Sequence, residues 1–268
     1  MASIPALVAA VWMTCAGPAL AQGVATTTAS SAKPSASSGD RVELKTEDKQ
    51  VLVGSYWGPK DQKGSAPAAL LVHDAGATRA DMNEVGERLA KQGFAVLAID
   101  LRGHGESVGG DKAWSTLSDA DKTKQWPFAL RDVKAGANWL HDQPGVHSSN
   151  LSLVGDRAGC TLVTRYASRD ENVRSIVLLD PQVEQLGFNL AKDIGELAGL
   201  PTYIAVTKET QPKAQTIAES GEKANDGNKF IEIAVFKGAA VMPTTDKSMI
   251  TGIAKFMSSK AMPKKADK

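Results

Sequence analysis

Runs of apolar residues alternate along the chain with stretches in which apolar residues recur every three or four positions. Residues 69–72 and 94–99 are continuous apolar runs ended by turn residues, a pattern typical of strands buried on both faces. The stretch between them predicts a helix with one apolar face, formed by Met82, Val85 and Leu89. The order strand, helix, strand predicts a parallel pair, because parallel strands need a long crossover connection.

The same alternation continues through the C-terminal part of the chain. A helix is predicted from Pro127, and residues 151–154 are the next strand. Further strands are predicted at 175–179, 202–206 and 230–236, further helices at 190–197, around Ile217 and at 249–257, and two strands of antiparallel type at 42–44 and 51–56. The pattern predicts one α/β domain: a doubly wound, mostly parallel sheet of eight strands, with helices on both faces and no large cap domain.

Three loops that follow predicted strands carry glycine and polar residues in a specific order. Residues 71–76 are Leu-Val-His-Asp-Ala-Gly, residues 100–107 are Asp-Leu-Arg-Gly-His-Gly-Glu-Ser, and residues 154–159 are Val-Gly-Asp-Arg-Ala-Gly. They resemble the motifs L-x-H-G-x-G, D-x-R-G-H-G-x-S and G-x-S-x-G of the α/β-hydrolases. From about residue 41 to 258 the chain resembles a small capless member of that superfamily, of the dienelactone-hydrolase or serine-aminopeptidase type. The resemblance implies a triad of serine, acid and histidine.

The chain departs from this pattern at each catalytic position. Arg157 stands at the nucleophile position of the elbow 155–159, and a guanidinium that stays protonated cannot attack a carbonyl. Val241 stands at the histidine position, and all four histidines of the chain precede the elbow. Glu209 follows the seventh predicted strand, where it either takes the place of the acid or faces solvent. Asp74 replaces a glycine beside the oxyanion hole, where a carboxylate opposes a developing anion.

Arg157 is predicted to lie at a helix N-terminus, where the macrodipole disfavours a cation, so a nearby anion is expected. One hypothesis is an internal ion-pair cluster, with Asp74, Asp180 and Glu209 as partners at neighbouring strand ends. The other is a bound carboxylate or phosphate ligand, held by the planar fork of the guanidinium. In either case the candidate binding residues are the following: His73, Asp74, Ala75, Arg157, Ala158 and Asp180.

The two ends of the chain bear on its location. An apolar run at residues 4–12, followed by Ala-Leu-Ala at 19–21, predicts a cleaved signal peptide over residues 1–21 that is too short for a stable membrane span. Residues 22–40 are rich in Ala, Ser and Thr and predict a flexible linker, followed by the domain 41–258 and a basic, disordered tail at 259–268. The expected location is secreted or periplasmic.

Composition excludes several classes of function. A formal net charge of +1 gives no case for nucleic-acid binding, and the sequence carries no metal-binding cluster, phosphate loop or dinucleotide fingerprint, so neither a metal nor a cofactor is expected. The sequence therefore predicts an exported α/β-hydrolase-like protein that has lost hydrolysis and acts as a binding or scaffold protein, with a small anionic ligand or a protein as partner. The alternative is an active ester or acyl hydrolase with a non-standard site, which would use water activated by Asp156 or Glu209, or Cys160 as the nucleophile.

Overall fold

A twisted, mostly parallel sheet lies at the centre of the computed structural model, which describes residues 39–59, 65–109, 112–238 and 247–261. Its strands are β1 (Asp40–Lys45), β2 (Val51–Trp57), β3 (Ala66–Val72), β4 (Ala95–Ile99), β5 (Val146–Asp156), β6 (Val173–Leu179), β9 (Thr202–Thr207) and β10 (Ile231–Phe236). The short strands β7 (Glu184–Gln185) and β8 (Phe188–Asn189) form a separate hairpin. Among the described residues the sheet has eight strands in the order β1-β2-β4-β3-β5-β6-β9-β10.

The strand pairing follows the predicted connectivity. β1 pairs antiparallel with β2 and β2 pairs antiparallel with β4, whereas all the following neighbours are parallel. The predicted α/β fold with a mostly parallel eight-stranded sheet is confirmed. Because the parallel strands point the same way, the loops after β3, β4, β5, β6 and β9 meet at one edge, which we name the carboxyl edge.

Helices cover both faces of the sheet, as predicted. They are α1 (Asn83–Lys91), α2 (Asp119–Gln125), α3 (Leu130–His141), α4 (Gly159–Ala167), α5 (Leu190–Asp193), α6 (Gln211–Ala224) and α7 (Lys247–Ala261). One apolar core includes side chains of α3, α4 and α6, and the other includes side chains of α1 and α7. No helix among the described residues is long and apolar enough to cross a bilayer.

Three features of the structure differ from the prediction. The short helix α2 was not indicated by the apolar pattern, because none of its residues is buried. The β7–β8 hairpin was missed because two-residue strands carry no periodicity. α7 continues to Ala261, so residues 259–261 are helical rather than part of a disordered tail. The predicted signal peptide, nearly all of the linker 22–40 and Val241 lie outside the described residues.

Candidate functional site

The turn from β5 into α4 has the shape that the elbow motif requires. Arg157 has a left-handed backbone with φ of 42°, a conformation that costs a non-glycine residue free energy and persists where the surroundings enforce it. Its N–H donates to Leu179 O at 2.8 Å. A Cβ on Gly155 would lie 2.7 Å from Cys160 N, so the elbow is closed too tightly for a side chain there. The predicted elbow is therefore present, with an arginine at its tip.

The guanidinium of Arg157 faces two carboxylates. Arg157 Nη1 lies 3.4 Å from Asp74 Oδ2 and 3.6 Å from Asp156 Oδ2, and the side chain is 32% exposed. Partial burial opposes the charge, but the carboxylates of Asp156 and Asp74, with a contribution from Asp180, hold the pKa of Arg157 above its ordinary value. The cluster of Arg157, Asp74, Asp156 and Asp180 is called the elbow cluster below. Glu209, which the sequence offered as a further partner, is exposed and outside it.

Asp74 also contacts the backbone of the elbow. Asp74 Oδ1 accepts a hydrogen bond from Ala158 N–H at 3.0 Å. In α/β-hydrolases the oxyanion hole uses the N–H of the residue after the nucleophile, which here is Ala158. The carboxylate of Asp74 thus takes a donor that would otherwise stabilise a reaction oxyanion, and it places negative charge at that position.

Asp156 is the member of the cluster that the list of candidate binding residues missed. It is only 2% exposed, and its Oδ1 has no hydrogen-bond partner among the described residues. Burial raises the pKa of Asp156 to about 7, with the negative charges of Asp74 and Asp180 adding to the rise and Arg157 opposing it. Strand alternation could have indicated this position, because Asp156 lies two residues after the buried Val154 and so shares its face of the sheet.

Asp180 directly follows β6 and completes the cluster. Like Arg157 it has a left-handed backbone, with φ of 48°, and its N–H donates to Ala205 O at 2.9 Å. Its side chain is buried, and Oδ1 lacks a partner among the described residues. Two strained residues at adjacent strand ends mark the place where this fold carries its functional groups.

His73 links two loops at the carboxyl edge. Its Nδ1 donates to Asp74 O at 2.6 Å, and its Nε2 accepts from Leu101 N–H at 3.0 Å. Burial, followed by the nearby His104, lowers the pKa of His73 to about 4. Because both ring nitrogens are used in backbone contacts, His73 positions loops rather than exchanging protons with a ligand. Ala75, the next candidate, is partly exposed beside this contact.

Two tryptophans fix the segment that leads to α3. Trp114 stacks on His104 with ring centroids 4.9 Å apart, and Trp126 donates from Nε1 to Thr161 Oγ1 at 3.1 Å. Both indole rings are almost completely buried. The segment is therefore anchored to the body of the domain by its aromatic residues.

Cys160 does not have the surroundings of a nucleophile. It is fully buried, and its Sγ donates to Gly155 O at 3.2 Å. Burial, with the charge of Asp156 adding to it, raises the pKa of the Cys160 thiol well above its ordinary value, so the thiolate is disfavoured. No group of three or more His, Cys, Asp or Glu residues in the described part of the chain could hold a metal ion.

The fold and the elbow together define an α/β-hydrolase domain. The family model of the serine aminopeptidases, S33, matches residues 65–216, more than half of the chain, and the chain belongs to this family. The predicted family resemblance is confirmed.

Sequence relatives share only part of their length with this chain. An uncharacterized protein of Mycobacterium tuberculosis is 28% identical over 138 residues, which cover 50% of this chain and 44% of that protein. The multifunctional-autoprocessing repeats-in-toxin protein of Vibrio cholerae is 26% identical over 155 residues, which cover 55% of this chain and 3% of the toxin. This chain thus matches less than half the length of either relative.

Solved structures match the domain more completely. An esterase of Pyrococcus furiosus superposes with a TM-score of 0.66 at 21% identity, covering 83% of this chain and 90% of the esterase. Est1E of Butyrivibrio proteoclasticus, solved with ferulic acid bound, has a TM-score of 0.64 at 13% identity, covering 82% of this chain and 98% of Est1E. At these identities the similarity establishes the fold.

Proposed function

We propose that this chain is a non-hydrolytic member of the serine aminopeptidase S33 family that acts as a binding or scaffold protein. The observation that carries the proposal is the pair of contacts made by Asp74, to the guanidinium at the nucleophile position and to the N–H of Ala158. Arg157 supplies no nucleophile, and Asp74 fills the place where an oxyanion would form. The sequence adds that no histidine follows the elbow to act as the base.

The charge of the elbow cluster bears on which ligand it would take. One guanidinium faces the carboxylates of Asp74, Asp156 and Asp180, so the ionised cluster carries more negative than positive charge. An anion that binds Arg157 would have to displace Asp74 against this charge. The arrangement therefore favours an internal ion-pair cluster over a small anionic ligand at Arg157, and a protein partner stays the other candidate.

An ester or acyl hydrolase with a non-standard site is the second candidate function. The observation in its favour is Asp156, since a carboxyl with a pKa of about 7 can accept a proton from water near neutral pH. Two solved structures with a similar fold also point this way: one is an esterase, and the other, Est1E, has ferulic acid bound. The burial of Asp156 argues against this candidate, because a base must lie within hydrogen-bond reach of the proton that it removes.

Hydrolysis of short-chain p-nitrophenyl esters separates the two candidates. The purified protein is expected to hydrolyse them at the background rate, because loss of a triad costs several orders of magnitude in rate. Arg157→Ala, Cys160→Ala and Asp156→Asn are expected to give the same background rate. Glu209→Gln is included because Glu209 is the other carboxylate that could activate water. Turnover by the wild type that one of these four substitutions abolishes would instead assign a hydrolase with a relocated site.

Export is part of the proposal and is supported by the apolar run and small-residue pattern of the first 21 residues. Expression of the full chain with its own leader in a bacterial host is expected to yield a periplasmic or secreted protein that begins near residue 22. N-terminal sequencing of the product measures this. A cytoplasmic product that retains residues 1–21 would contradict export and leave the proposed binding function standing.

A further inference from the structure

A concave site lies at the edge of the sheet opposite the elbow cluster, where β3, β5 and β6 begin. Opposite the single residue Pro67, β5 has four residues, 147–150, because Ala66 pairs with Val146 and Ala68 pairs with Leu151. Bulges of this kind redirect side chains and are frequent beside functional sites. The bulged segment lines a cavity of about 430 Å³, which is in the size range of small-ligand pockets.

The ionisable side chains that line this cavity are all basic. They come from three different elements: His147 from β5, Arg174 from β6 and Lys260 from α7. No aspartate or glutamate is among the described residues of the lining. The whole chain has a formal net charge of only +1, so this concentration of one sign is local. A cleft lined by one sign of charge raises the local concentration of ligands of the opposite sign.

The backbone of Ser149 orients two of these side chains. Ser149 N–H donates to His147 Nδ1 at 3.2 Å, which leaves the ring proton of a neutral His147 on Nε2 as a donor. Ser149 O accepts from Arg174 Nε at 2.9 Å. Neither Nη group of Arg174 has a partner in the described part of the chain, so the fork remains available to an oxyanion.

The C-terminal part of α7 lines the cavity and brings a second cation, Lys260, beside Arg174. Lys260 Nζ lies 5.6 Å from the centre of the Phe256 ring, a cation–π distance. The carbonyl oxygen of Ala261, which also lines the cavity, would repel an anion, but it already accepts a hydrogen bond from Asn150 Nδ2.

We propose that this pocket binds the phosphate group of a small ligand. Donors from three different elements suit a tetrahedral group with several oxygens better than a planar carboxylate, and no carboxylate is among the described residues of the lining. The site is separate from the elbow cluster in both position and charge. It therefore offers an anionic ligand the complementary surroundings that Arg157 lacks, and it stands whether or not the chain hydrolyses esters.

Titration calorimetry with inorganic phosphate and with glycerol 3-phosphate tests the proposal on the purified protein. Binding with a dissociation constant in the millimolar range or tighter is expected. Arg174→Gln and Lys260→Gln are each expected to weaken it by about tenfold or more, the loss of one charge-assisted contact. Lys208→Gln is the matched control, because it removes the same charge from an exposed residue at the carboxyl edge and should leave binding unchanged.

Several results would contradict phosphate binding in this pocket. Absence of binding by the wild type would overturn the proposal, as would equal affinities in the wild type, Arg174→Gln and Lys260→Gln. A third arm uses vesicles that contain phosphatidic acid, to separate a soluble ligand from a lipid headgroup. Binding to vesicles without binding of either soluble phosphate would assign the basic residues to surface attraction and would contradict a pocket. Both variants change exposed side chains, and an unchanged thermal midpoint would show that they fold.

Discussion

Asp156→Asn is expected to make the folded protein more stable at pH 8 by about 2–4 kcal/mol, and to have little effect at pH 4, because each pKa unit corresponds to ~1.4 kcal/mol. The physical reason is that the pKa of Asp156 rises from an ordinary value of 3.8 to about 7 on folding. Burial is the main cause, so the ionised carboxylate is the unfavourable form in the folded state.

The sign follows from the protons that each state binds. Below pH 3.8 both states keep the proton on Asp156, and the carboxyl contributes no difference. Between pH 3.8 and about 7 the unfolded chain has lost the proton that the folded chain still holds, so stability falls as the pH rises. Above about pH 7 the folded state ionises as well, and the loss is complete. Asparagine cannot ionise, so the variant lacks this loss.

Urea denaturation at several pH values measures the effect, with the difference between variant and wild type as the quantity of interest. The difference is used because a second group also changes stability with pH. Burial lowers the pKa of His73 to about 4, so both proteins become less stable as the pH falls below the ordinary histidine pKa of 6.5. Glu209→Gln is the control, a change of the same kind at an exposed carboxylate of the same sheet edge. A difference between Asp156→Asn and wild type that is constant from pH 4 to pH 8 would contradict a buried carboxyl that holds a proton at neutral pH.

The charged groups that act most on Asp156 come from four different parts of the chain. They are Arg157 from the elbow, Asp74 from the loop after β3, Asp180 from the end of β6, and Asp81 from the turn before α1. When Asp156 is protonated, it no longer forms an ion pair with the guanidinium of Arg157, and the ion pair with Asp74 remains. The neutral form of Asp156 thus supports the Asp74 contacts that carry the proposed loss of hydrolysis.

The fold was predictable because each step depends on local pattern. Buried parallel strands need continuous apolar runs, amphipathic helices need one apolar face, and the elbow needs glycines. All three patterns can be recognised in one amino-acid sequence. Arg157 and Asp74 were also identified from position alone, because the motifs fix which backbone site each occupies. In the structure Arg157 Nη1 lies 3.4 Å from Asp74 Oδ2.

The remaining features depend on geometry that no pattern encodes. Glu209 follows a strand at the carboxyl edge as Asp180 does, yet one side chain is exposed and the other buried, because burial depends on how each loop leaves the sheet. The pocket at the opposite edge arises from a register shift opposite Pro67, which is a property of the pairing of two strands rather than of either sequence. That Asp156 Oδ1 has no hydrogen-bond partner among the described residues likewise depends on where the donors of its neighbours point.

Gly159→Ala is expected to destabilise the protein by about 2–4 kcal/mol, with the elbow as the element that is strained. A Cβ at Gly159 would lie 2.6 Å from Val72 O and 2.7 Å from His73 O. Both are backbone atoms at the end of a central strand, so neither can move away without shifting β3. A loss of stability would indicate the clash with these backbone atoms, because alanine in a helix is otherwise favoured over glycine by about 1 kcal/mol.

Gly76→Ala is the matched control for this substitution. It makes the same chemical change in the adjoining loop at the carboxyl edge, where a Cβ would meet no atom within 4 Å. Its effect on the free energy of unfolding is expected to stay within about 0.5 kcal/mol, and both variants should show the denaturant slope of the wild type. Equal stability of Gly159→Ala and wild type would mean that α4 does not pack on the end of β3. The large loss would show that the tight elbow is required for folding, which explains how its shape can persist in a chain that places an arginine at the nucleophile position.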